Sequence, residues 1–534
     1  MKIQFRGAAG TVTGSQYLLT TDQARIVIDC GMFQGSPEES ARNRAGFAYD
    51  PATIGAVLLT HAHLDHCGML PALVKGGFTG PVITTRGTQE LAELVLLDSG
   101  KLQVEQAQAH NERLARDARR EAREAAAGSP GPAAPPPAGG TASPPGGPIV
   151  PTGRATAVVP VPHRASDHGA FPRGGGDPDR PAWDEGPIEP LYDQADAAAA
   201  MQLFRGVDYE APIDVAPGIR ATFHDAGHIL GSAIIVVEVT EAAAPLRRIV
   251  FSGDLGRPDA PIIRDPTAIL DGADFVLVES TYGGREHEPE DEAVRLLAEA
   301  VRATADHTGV LLIPAFAIGR TQDMLWVLDR LLEAGRIPHI PLYLDSPMAS
   351  KATEVYLRHP EYYDPETRQL MTAGDQPLRY PGEVNTDTAD ESRRIRLAPR
   401  PMMIVSASGM LTGGRIVHHL DDLIDDPKAI LLFVGYQGEG TLGAHLQAGA
   451  TQVRLNGVWR DVRCEIRSIS GFSAHADEDE LAAWLAHFAG VTRQPRTIFI
   501  VHGDPDAELA VEARVKTLGL TAHRPAWREV VELG

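Results

Sequence analysis

Short apolar runs separated by polar turns fill the first part of the chain, and this pattern predicts β-strands. "GSQYLLTT" and "ARIVIDCG" flank a polar turn around Asp22, and "AVLLT" is a third run rich in valine and leucine. Next, "LPALVKGGFTGPVITT" indicates a helix, a glycine-rich break and a strand. Residues 89–127 then indicate one long helix whose charge increases toward its end.

Residues 128–153 break this pattern, because they are mostly proline, glycine, alanine and serine. Such a segment cannot bury enough apolar surface to offset its chain entropy, so we predict disorder that continues to about residue 187. An insertion in a surface loop costs little stability even when it is long. Two interpretations of the segment stay open, a spacer and a partner-binding arm.

Beyond the insertion, three predicted strand units each lead to a polar side chain. A helix in "DQADAAAAMQLF", with Asp193 as its N-cap, precedes them. "GIRATFHDAGHILGSAIIVVEV" places His228 in a tight loop between two strands. "RRIVFSGDLG" ends a strand at Asp254, and "DFVLVESTYG" ends one at Glu279.

From about residue 285 the pattern alternates between helix and strand. "EDEAVRLLAEAVRATA" has helical periodicity, and "GVLLIPAFAIGRTQDMLWVLDRLLEAG" is a strand, a loop and a helix, an order that recurs twice before residue 421. This alternation predicts a small parallel sheet flanked by helices, in which ligands bind beyond the carboxyl ends of the strands. The last part returns to strands, with a helix in "DELAAWLAHFAG" and a strand in "RTIFIVHGD".

Composition limits the class of protein. A chain of 534 residues predicts two or three domains. "MKIQFRGAAG" lacks the apolar core of a secretory signal, and no run approaches the length of a membrane span, so we expect a cytoplasmic protein that does not enter membranes. The 3 cysteines show no CxxC spacing and predict neither a disulfide framework nor a cysteine zinc site.

The net charge of −22 argues against a protein that coats nucleic acid nonspecifically, since such proteins are normally basic. It does not exclude a nuclease, because bound metal ions can supply the positive charge of a site.

The segment "VLLTHAHLDHCG" concentrates metal-type ligands directly after an apolar run. Zinc takes about four nitrogen or oxygen ligands, so the whole set of candidates is too large for one ion. Two ions that share one carboxylate would use all of them, in the arrangement that serves phosphate esters. The candidate ligands are His61, His63, Asp65, His66, His228, Asp254 and His502.

These motifs resemble a known superfamily. "THAHLDHCG", "GHILGS", "SGDLG" and the aspartate of "VIDCG" are similar to motifs of hydrolases with the metallo-β-lactamase fold. "VLVESTYGGR", "GFSAHAD" and "IVHGD" are similar to the additional motifs of the β-CASP nucleases, which include the nuclease subunit of the cleavage and polyadenylation factor and ribonuclease J. The resemblance covers nearly the whole chain except the proline- and glycine-rich insertion.

The resemblance implies a role for each matching residue. His61, His63, His228 and Asp254 would hold one zinc ion. Asp65, His66, Asp254 and His502 would hold the second. Asp29 would steady a ligand histidine through a hydrogen bond. Glu279 would bond to His475, the general acid that protonates the leaving oxygen.

The resemblance also implies a fold and its boundaries. We expect an α/β protein, a metallo-β-lactamase αββα sandwich with an inserted β-CASP domain built on a parallel βα sheet. Residues 1–285 would form the first part of the sandwich, residues 286–415 the β-CASP domain, and residues 416–534 the second part with the C-terminal RNA-metabolising motif.

Four residues of the β-CASP region are candidates for binding RNA phosphates. "SASGMLTGGR" lies between a strand and a helix, where backbone N–H groups can face a phosphate. Arg415 could grip a phosphate with two hydrogen bonds, and Arg320 in "AIGRTQ" is a second candidate. A surface ion pair is the competing interpretation for each arginine. Ser406 and Ser408 complete the set.

These observations favour a zinc-dependent ribonuclease with two Zn²⁺ that hydrolyses RNA by a two-metal-activated hydroxide. We expect mainly endonuclease activity, with some 5′-exonuclease activity, and a homodimer. The alternatives are a DNA nuclease, a small-ester hydrolase of the same fold, and a non-catalytic RNA-processing scaffold. A small-ester hydrolase has no need of the added domain, and a scaffold would have lost ligands.

Overall fold

The computed structural model describes residues 1–127, 186–242, 244–438 and 440–534. These residues belong to two compact units, one formed by the described residues of 1–106 and 189–534 and the other by residues 107–127 and 186–188. Within the second unit, the side chain of Asn111 bonds to both backbone groups of Ile188, at 3.0 and 2.9 Å. The disorder predicted for residues 128–187 lies almost wholly outside the described residues and stays a prediction.

The strands of the described chain are short, and most of their residues are buried. In chain order they are β1 (Lys2–Phe5), β2 (Tyr17–Thr20), β3 (Arg25–Ile28), β4 (Ala56–Leu58), β5 (Val82–Thr85), β6 (Phe204–Val207), β7 (Ile213–Ala216), β8 (Ile219–Asp225), β9 (Ala233–Val239), β10 (Arg247–Phe251), β11 (Phe275–Val278), β12 (Val310–Pro314), β13 (Leu342–Leu344), β14 (Val384–Asn385), β15 (Met402–Ser406), β16 (Ala429–Phe433), β17 (Gln452–Leu455), β18 (Val458–Asp461), β19 (Glu465–Ser468), β20 (Thr497–Ile500), β21 (Ala522–His523) and β22 (Val530–Glu532).

Helices of very different length connect these strands. They are α1 (Pro37–Arg42), α2 (Leu64–Cys67), α3 (Leu70–Lys75), α4 (Arg86–Ala127), α5 (Gln194–Met201), α6 (Glu290–Asp306), α7 (Arg320–Glu333), α8 (Pro347–Arg358), α9 (Pro365–Thr372), α10 (Ala389–Arg394), α11 (Arg415–Leu423), α12 (Leu442–Gln447), α13 (Glu478–Ala486) and α14 (Pro505–Thr517). Single 3₁₀ turns span Asn43–Ala45, Pro51–Thr53, Pro360–Tyr362 and Ile395–Leu397.

The predicted N-cap of α5 is confirmed. The side chain of Asp193 accepts a hydrogen bond from the backbone N–H of Asp196, and the carboxylate of Asp196 accepts one from the backbone N–H of Asp193. Two backbone donors at the helix start are thus satisfied.

Two seven-stranded sheets pack face to face and form the predicted sandwich. The first has the order β22-β1-β2-β3-β4-β5-β6, and the second has the order β21-β20-β11-β10-β9-β8-β7. Side chains along each strand alternate between the inner and the outer face of its sheet. On the inner faces, Phe5, Ile28 and Leu58 of the first sheet pack with Phe223 and Phe251 of the second. Residues of α3, α4 and α5 cover the first sheet, and residues of α13 and α14 cover the second.

The predicted parallel βα sheet is present as a third sheet with the order β14-β13-β15-β12-β16-β19. Every neighbouring pair in it is parallel. Both faces are buried, one under residues of α6, α7 and α8 and the other under residues of α11 and α12, as a parallel sheet requires. Because β11 and β20 pair directly in the sandwich, this layered domain is inserted between two neighbouring strands.

The third sheet corrects one predicted boundary. The sequence predicts that the inserted domain ends at residue 415, but β16 pairs with β12 and β19 pairs with β16, so the sheet continues to Ser468. The sequence of a strand indicates that the strand is buried, but it does not indicate which strands it pairs with. The predicted boundary therefore differs from the observed one.

No helix in the described part of the chain is long and apolar enough to cross a membrane. The three cysteines are buried and free.

Candidate metal centre

The ligand-rich segment follows the carboxyl end of β4. After this strand the chain stays extended to His63, which precedes the single turn of α2. The extended part directs His61 and His63 to one place, and the helical turn directs Asp65 and His66 to a neighbouring place. The local change from strand to helix therefore divides one short segment into two sets of ligands.

The other ligands come from the second sheet. His228 lies in the loop between β8 and β9, Asp254 follows β10, and His502 follows β20. Because β10, β11 and β20 are parallel neighbours, their carboxyl ends meet at the same edge of the sheet. His502 has a φ of 53°, in the left-handed region that few non-glycine residues adopt.

Four side chains form a first cluster, which consists of His61, His63, His228 and Asp254. Nδ1 of His63 lies 3.1 Å from Nε2 of His61 and 3.2 Å from Nε2 of His228. Oδ2 of Asp254 lies 3.4 Å from Nε2 of His61 and 3.6 Å from Nε2 of His228.

Asp65, His66 and His502 form a second cluster. Nε2 of His502 lies 3.3 Å from Nε2 of His66 and 3.5 Å from a carboxylate oxygen of Asp65. Oδ1 of Asp254, the oxygen that faces away from the first cluster, lies 3.2 Å from Nε2 of His66. Asp254 thus places one oxygen beside each cluster.

The donor set fits bound cations. Nε2 of His63 and Oδ1 of Asp254 are buried without a hydrogen-bond partner among the described residues, although buried polar atoms normally have one. Burial lowers the pKa of His61 and of His228 well below the usual value, which keeps their nitrogen lone pairs free. Several lone pairs therefore point at each other, and cations between them would remove the repulsion.

Asp29 holds the second cluster in place. It follows β3, adopts a φ of 56°, and accepts hydrogen bonds of 2.8 Å from the backbone N–H and the hydroxyl of Thr60. Its Oδ2 also lies 2.8 Å from Nδ1 of His66. Burial alone would lower the pKa of His66, but Asp254 and Asp29 outweigh burial and raise it well above its usual value.

Glu279 and His475 lie beside the first cluster. The carboxylate of Glu279 is fully buried, and it accepts hydrogen bonds from the backbone N–H groups of Leu255 and Thr281. Its Oε1 lies 3.0 Å from Nδ1 of His475, whose ring is 4.5 Å from that of His228. Burial lowers the pKa of His475, but Glu279 outweighs burial and the net shift is upward. The other ring nitrogen of His475 is thus free to hold a proton at the edge of the centre.

Comparison with known proteins connects this geometry to a family. Sequence models match for the metallo-beta-lactamase superfamily over residues 9–177, the Beta-Casp domain over residues 321–446, and the Zn-dependent metallo-hydrolase RNA specificity domain over residues 459–525. Ribonuclease TTHA0252 of Thermus thermophilus is 34% identical over 96% of this chain and 95% of its own length. The chain belongs to the β-CASP family of metallo-β-lactamase-fold hydrolases.

Transcription termination factors named FttA are more distant relatives. Those of Methanosarcina mazei and Methanocaldococcus jannaschii are both 28% identical, over 95% and 94% of this chain, and the match covers 67% of each. As a β-CASP protein the chain is a metal-dependent hydrolase. Its histidines and aspartates form clusters of the kind that hold metal ions.

The residues predicted to bind phosphate lie in the β-CASP domain, and several of them already contact other groups of the protein. Arg320 begins α7 after the β12 loop, is 6% exposed, and donates to Asp323 at 2.9 Å. Ser408 is partly exposed, and its hydroxyl lies 3.0 Å from the hydroxyl of Thr412. Both stay candidates for binding a phosphate.

Arg415 and Ser406 are occupied by other contacts. Arg415 donates to the buried carboxylate of Asp345 at 2.8 Å and to the backbone oxygens of Thr386 and Asp387 at 3.0 and 2.8 Å. The hydroxyl of Ser406 donates to the backbone oxygen of Asp345 at 2.9 Å. These contacts give both residues a structural role and do not support the predicted role in phosphate binding, because the donors already face acceptors of the protein.

Phe316 is a neighbour of the centre that the sequence pattern did not indicate. It follows β12, is 37% exposed, and its ring lies 6.1 Å from the ring of His63. A partly exposed aromatic ring beside a metal centre is a surface on which a nucleic-acid base can stack. The signal was present, because Phe316 interrupts the small residues of "PAFAIGR", but its direction depends on the fold.

Proposed function

We propose that this β-CASP protein is a zinc-dependent ribonuclease that cleaves RNA internally. The observation that carries the proposal is the pair of clusters that share Asp254, with a histidine in position to hold a proton beside them. The ribonuclease named for Thermus thermophilus, which aligns over nearly the whole chain, supports RNA as the substrate.

The distances between the ligand atoms support zinc. Nitrogen and oxygen ligands lie about 2.0–2.2 Å from a tetrahedral zinc ion, which separates neighbouring ligands by about 3.3–3.6 Å. The first cluster has separations of 3.1, 3.2, 3.4 and 3.6 Å. The second has separations of 3.2, 3.3 and 3.5 Å. Two ions, one in each cluster, suit this spacing.

Bound zinc ions would lower the pKa of water and offset charge on the phosphate that reacts. The chain's own residues orient these groups. Asp254 keeps the two clusters at a fixed separation, and Asp29 keeps the ring of His66 directed at the second cluster. His63, Asp65 and His475 are partly exposed, so the phosphodiester would approach from their side.

His475 would give a proton to the leaving 3′ oxygen, and the products would carry a 5′-phosphate and a 3′-hydroxyl. Glu279 positions the ring of His475 through the bond to Nδ1, which leaves Nε2 as the donor. Two backbone N–H groups fix the carboxylate in turn, so the proton donor is held by a chain of contacts that begins at the ends of β10 and β11.

The test is digestion of RNA labelled at its 5′ or 3′ end, beside DNA of matched sequence, with and without a chelator. We expect fragments of intermediate size at early times from RNA alone, and no cleavage after chelation. Mononucleotides without fragments of intermediate size would contradict endonuclease activity and would indicate a 5′-exonuclease instead. Cleavage of DNA but not of RNA would contradict the proposal. The homodimer remains a prediction from the sequence.

Phe316→Ala is expected to weaken RNA cleavage through KM more than through kcat. Stacking of one base on an aromatic ring contributes about 1–3 kcal/mol, so KM should rise about 5- to 160-fold. Steady-state kinetics on RNA measure the two constants. Phe316→Leu, which keeps the volume but not the ring, is the matched control and should resemble alanine, whereas Phe316→Tyr should retain most of the affinity. An effect confined to kcat would contradict a stacking role.

A further inference from the structure

A pocket outside the metal centre gathers arginines around aromatic rings. Arg6, Arg42 and Arg528 line it together with Phe33, Phe47 and Trp527. The guanidinium of Arg528 lies 4.1 Å from the centre of the indole ring of Trp527, and that of Arg42 lies 4.7 Å from it. In the described residues no carboxylate forms an ion pair with any of these three arginines.

This gathering is unusual in a chain with 71 acidic and 49 basic residues. Like charges that lie together repel each other, and the pKa of Arg6 is lowered by burial and, to a smaller extent, by the charge of Arg528. Nε of Arg6 is buried without a hydrogen-bond partner in the described chain. The neighbouring Glu529 does not neutralise the pocket, because its carboxylate bonds to His523 at 2.7 Å and to the backbone of Ala526 at 2.8 Å. An anion would relieve these interactions.

The walls of the pocket are fixed before any ligand binds. The side chain of Asn43 bonds to both backbone groups of Phe33 at 2.8 Å, and the indole N–H of Trp527 donates to the backbone oxygen of Arg6 at 2.9 Å. Arg528 has a φ of 71°, which an arginine adopts only where the surrounding structure imposes it. Such rigidity lowers the entropy that a ligand must lose on binding.

One wall separates this pocket from the metal centre. Gly14 and Gly31 line the pocket, and Ser15 between them bonds through its backbone to Gly31 at 2.9 Å and to Asp65 at 2.8 Å. The hydroxyl of Ser15 lies 3.3 Å from Nε2 of His66. The pocket and the metal centre therefore share one wall, which is formed around Ser15.

We propose that this pocket, formed around Arg42, Arg528 and Trp527, binds a nucleotide of the single-stranded RNA outside the bond that is cleaved. The inference rests on the proposed ribonuclease function. Guanidinium groups bind phosphate oxygens, and both guanidinium planes and aromatic rings stack on bases, which is the combination used by single-strand binding surfaces. A free nucleotide offers the same chemistry, and the test separates the two.

The test compares Arg42→Ala/Arg528→Ala with a control that removes the same charge elsewhere, Arg220→Ala/Arg393→Ala. The control arginines are exposed and pair with Asp214 and Asp390. Binding of fluorescent single-stranded RNA is measured by anisotropy in a His475→Ala background, so that cleavage does not interfere. We expect the pocket variant to bind about tenfold more weakly than the control, with a salt dependence shallower by about 1.4 because two phosphate contacts are lost.

Arg528→Glu provides a second variant at an exposed position and should weaken binding further. Equal affinities and equal salt slopes in the pocket and control variants would overturn the proposal. Adenosine monophosphate that binds the control variant but not the pocket variant, while both variants bind RNA equally well, would assign the pocket to a free nucleotide and would overturn the RNA assignment. Because binding is measured without cleavage, a failure of the ribonuclease proposal leaves this comparison decisive.

Discussion

Asp254→Asn is expected to lower RNA cleavage by about a thousandfold and to reduce the metal content of the purified protein. Asp254 is the side chain with one oxygen beside each cluster, and both oxygens carry charge in the ionised form. His502 and His66 outweigh burial and hold the pKa of Asp254 well below its usual value, so the charge is present at neutral pH. An amide offers one oxygen and no charge, so one cluster loses its shared ligand and both lose attraction for a cation.

The magnitude follows from the stabilisation that a metal ion gives to a transition state, about several kcal/mol, at 1.36 kcal/mol for each tenfold change in rate. Elemental analysis measures the metal content, and kcat/KM on RNA measures the activity. Asp225→Asn is the matched control, because Asp225 is also a buried aspartate at the end of a strand of the same sheet but bonds to Arg264. Retention of both metal equivalents by Asp254→Asn would contradict the shared-ligand arrangement.

The sequence indicated which side chains come together at the candidate centre, because their placement depends on a local pattern. His61 follows a short buried strand of the first sheet. Asp254 and His502 follow strands of the second sheet, where the ends of the parallel neighbours β10, β11 and β20 meet at one edge. Spacing within one segment also decides which side chains fall in the same cluster, since the turn of α2 begins directly after His63. The division into two sets therefore required no knowledge of distant contacts.

The predicted phosphate-binding role of Arg415 and Ser406 does not match their contacts, because these contacts depend on a residue that is distant in the sequence. Both belong to a glycine-rich strand-to-helix loop, which is a typical place for phosphate binding. Asp345, from a different strand, occupies the space beside them, and its carboxylate also receives hydrogen bonds from Ser392 and His419 at 2.6 Å. Nothing in the spacing of the loop indicates that a distant carboxylate is buried against it.

The same limit applies to the arginine pocket. Its parts come from the residue that follows β1, from segments on both sides of α1, and from the residues that precede β22, so no single motif contains them. The metal centre and the arginine pocket differ in how their residues are distributed along the sequence. Ligands on neighbouring strand ends form a compact signature, whereas a substrate-binding surface assembles from residues that meet only after the sandwich has formed.

His475→Ala is expected to lower cleavage of RNA by about 10²- to 10⁴-fold, the usual contribution of a general acid. The ribose oxygen that leaves is a strong base, so its departure needs a proton. Bis(p-nitrophenyl) phosphate releases a stable phenolate that needs none, so its hydrolysis by the same variant should fall only a few-fold. The ratio of the two losses separates proton donation from damage to the metal centre, which would slow both substrates equally.

Glu279→Gln tests the positioning of His475. Glutamine can still accept a hydrogen bond from Nδ1, but it removes the charge that raises the pKa of His475. Its loss on RNA should therefore lie between those of the unmodified protein and His475→Ala, with the same preference for the activated diester. His339→Ala, at an exposed histidine of the β-CASP domain, is the control for loss of an imidazole. Equal losses on both substrates in His475→Ala would show that His475 does not donate the proton and acts instead through its contact with His228.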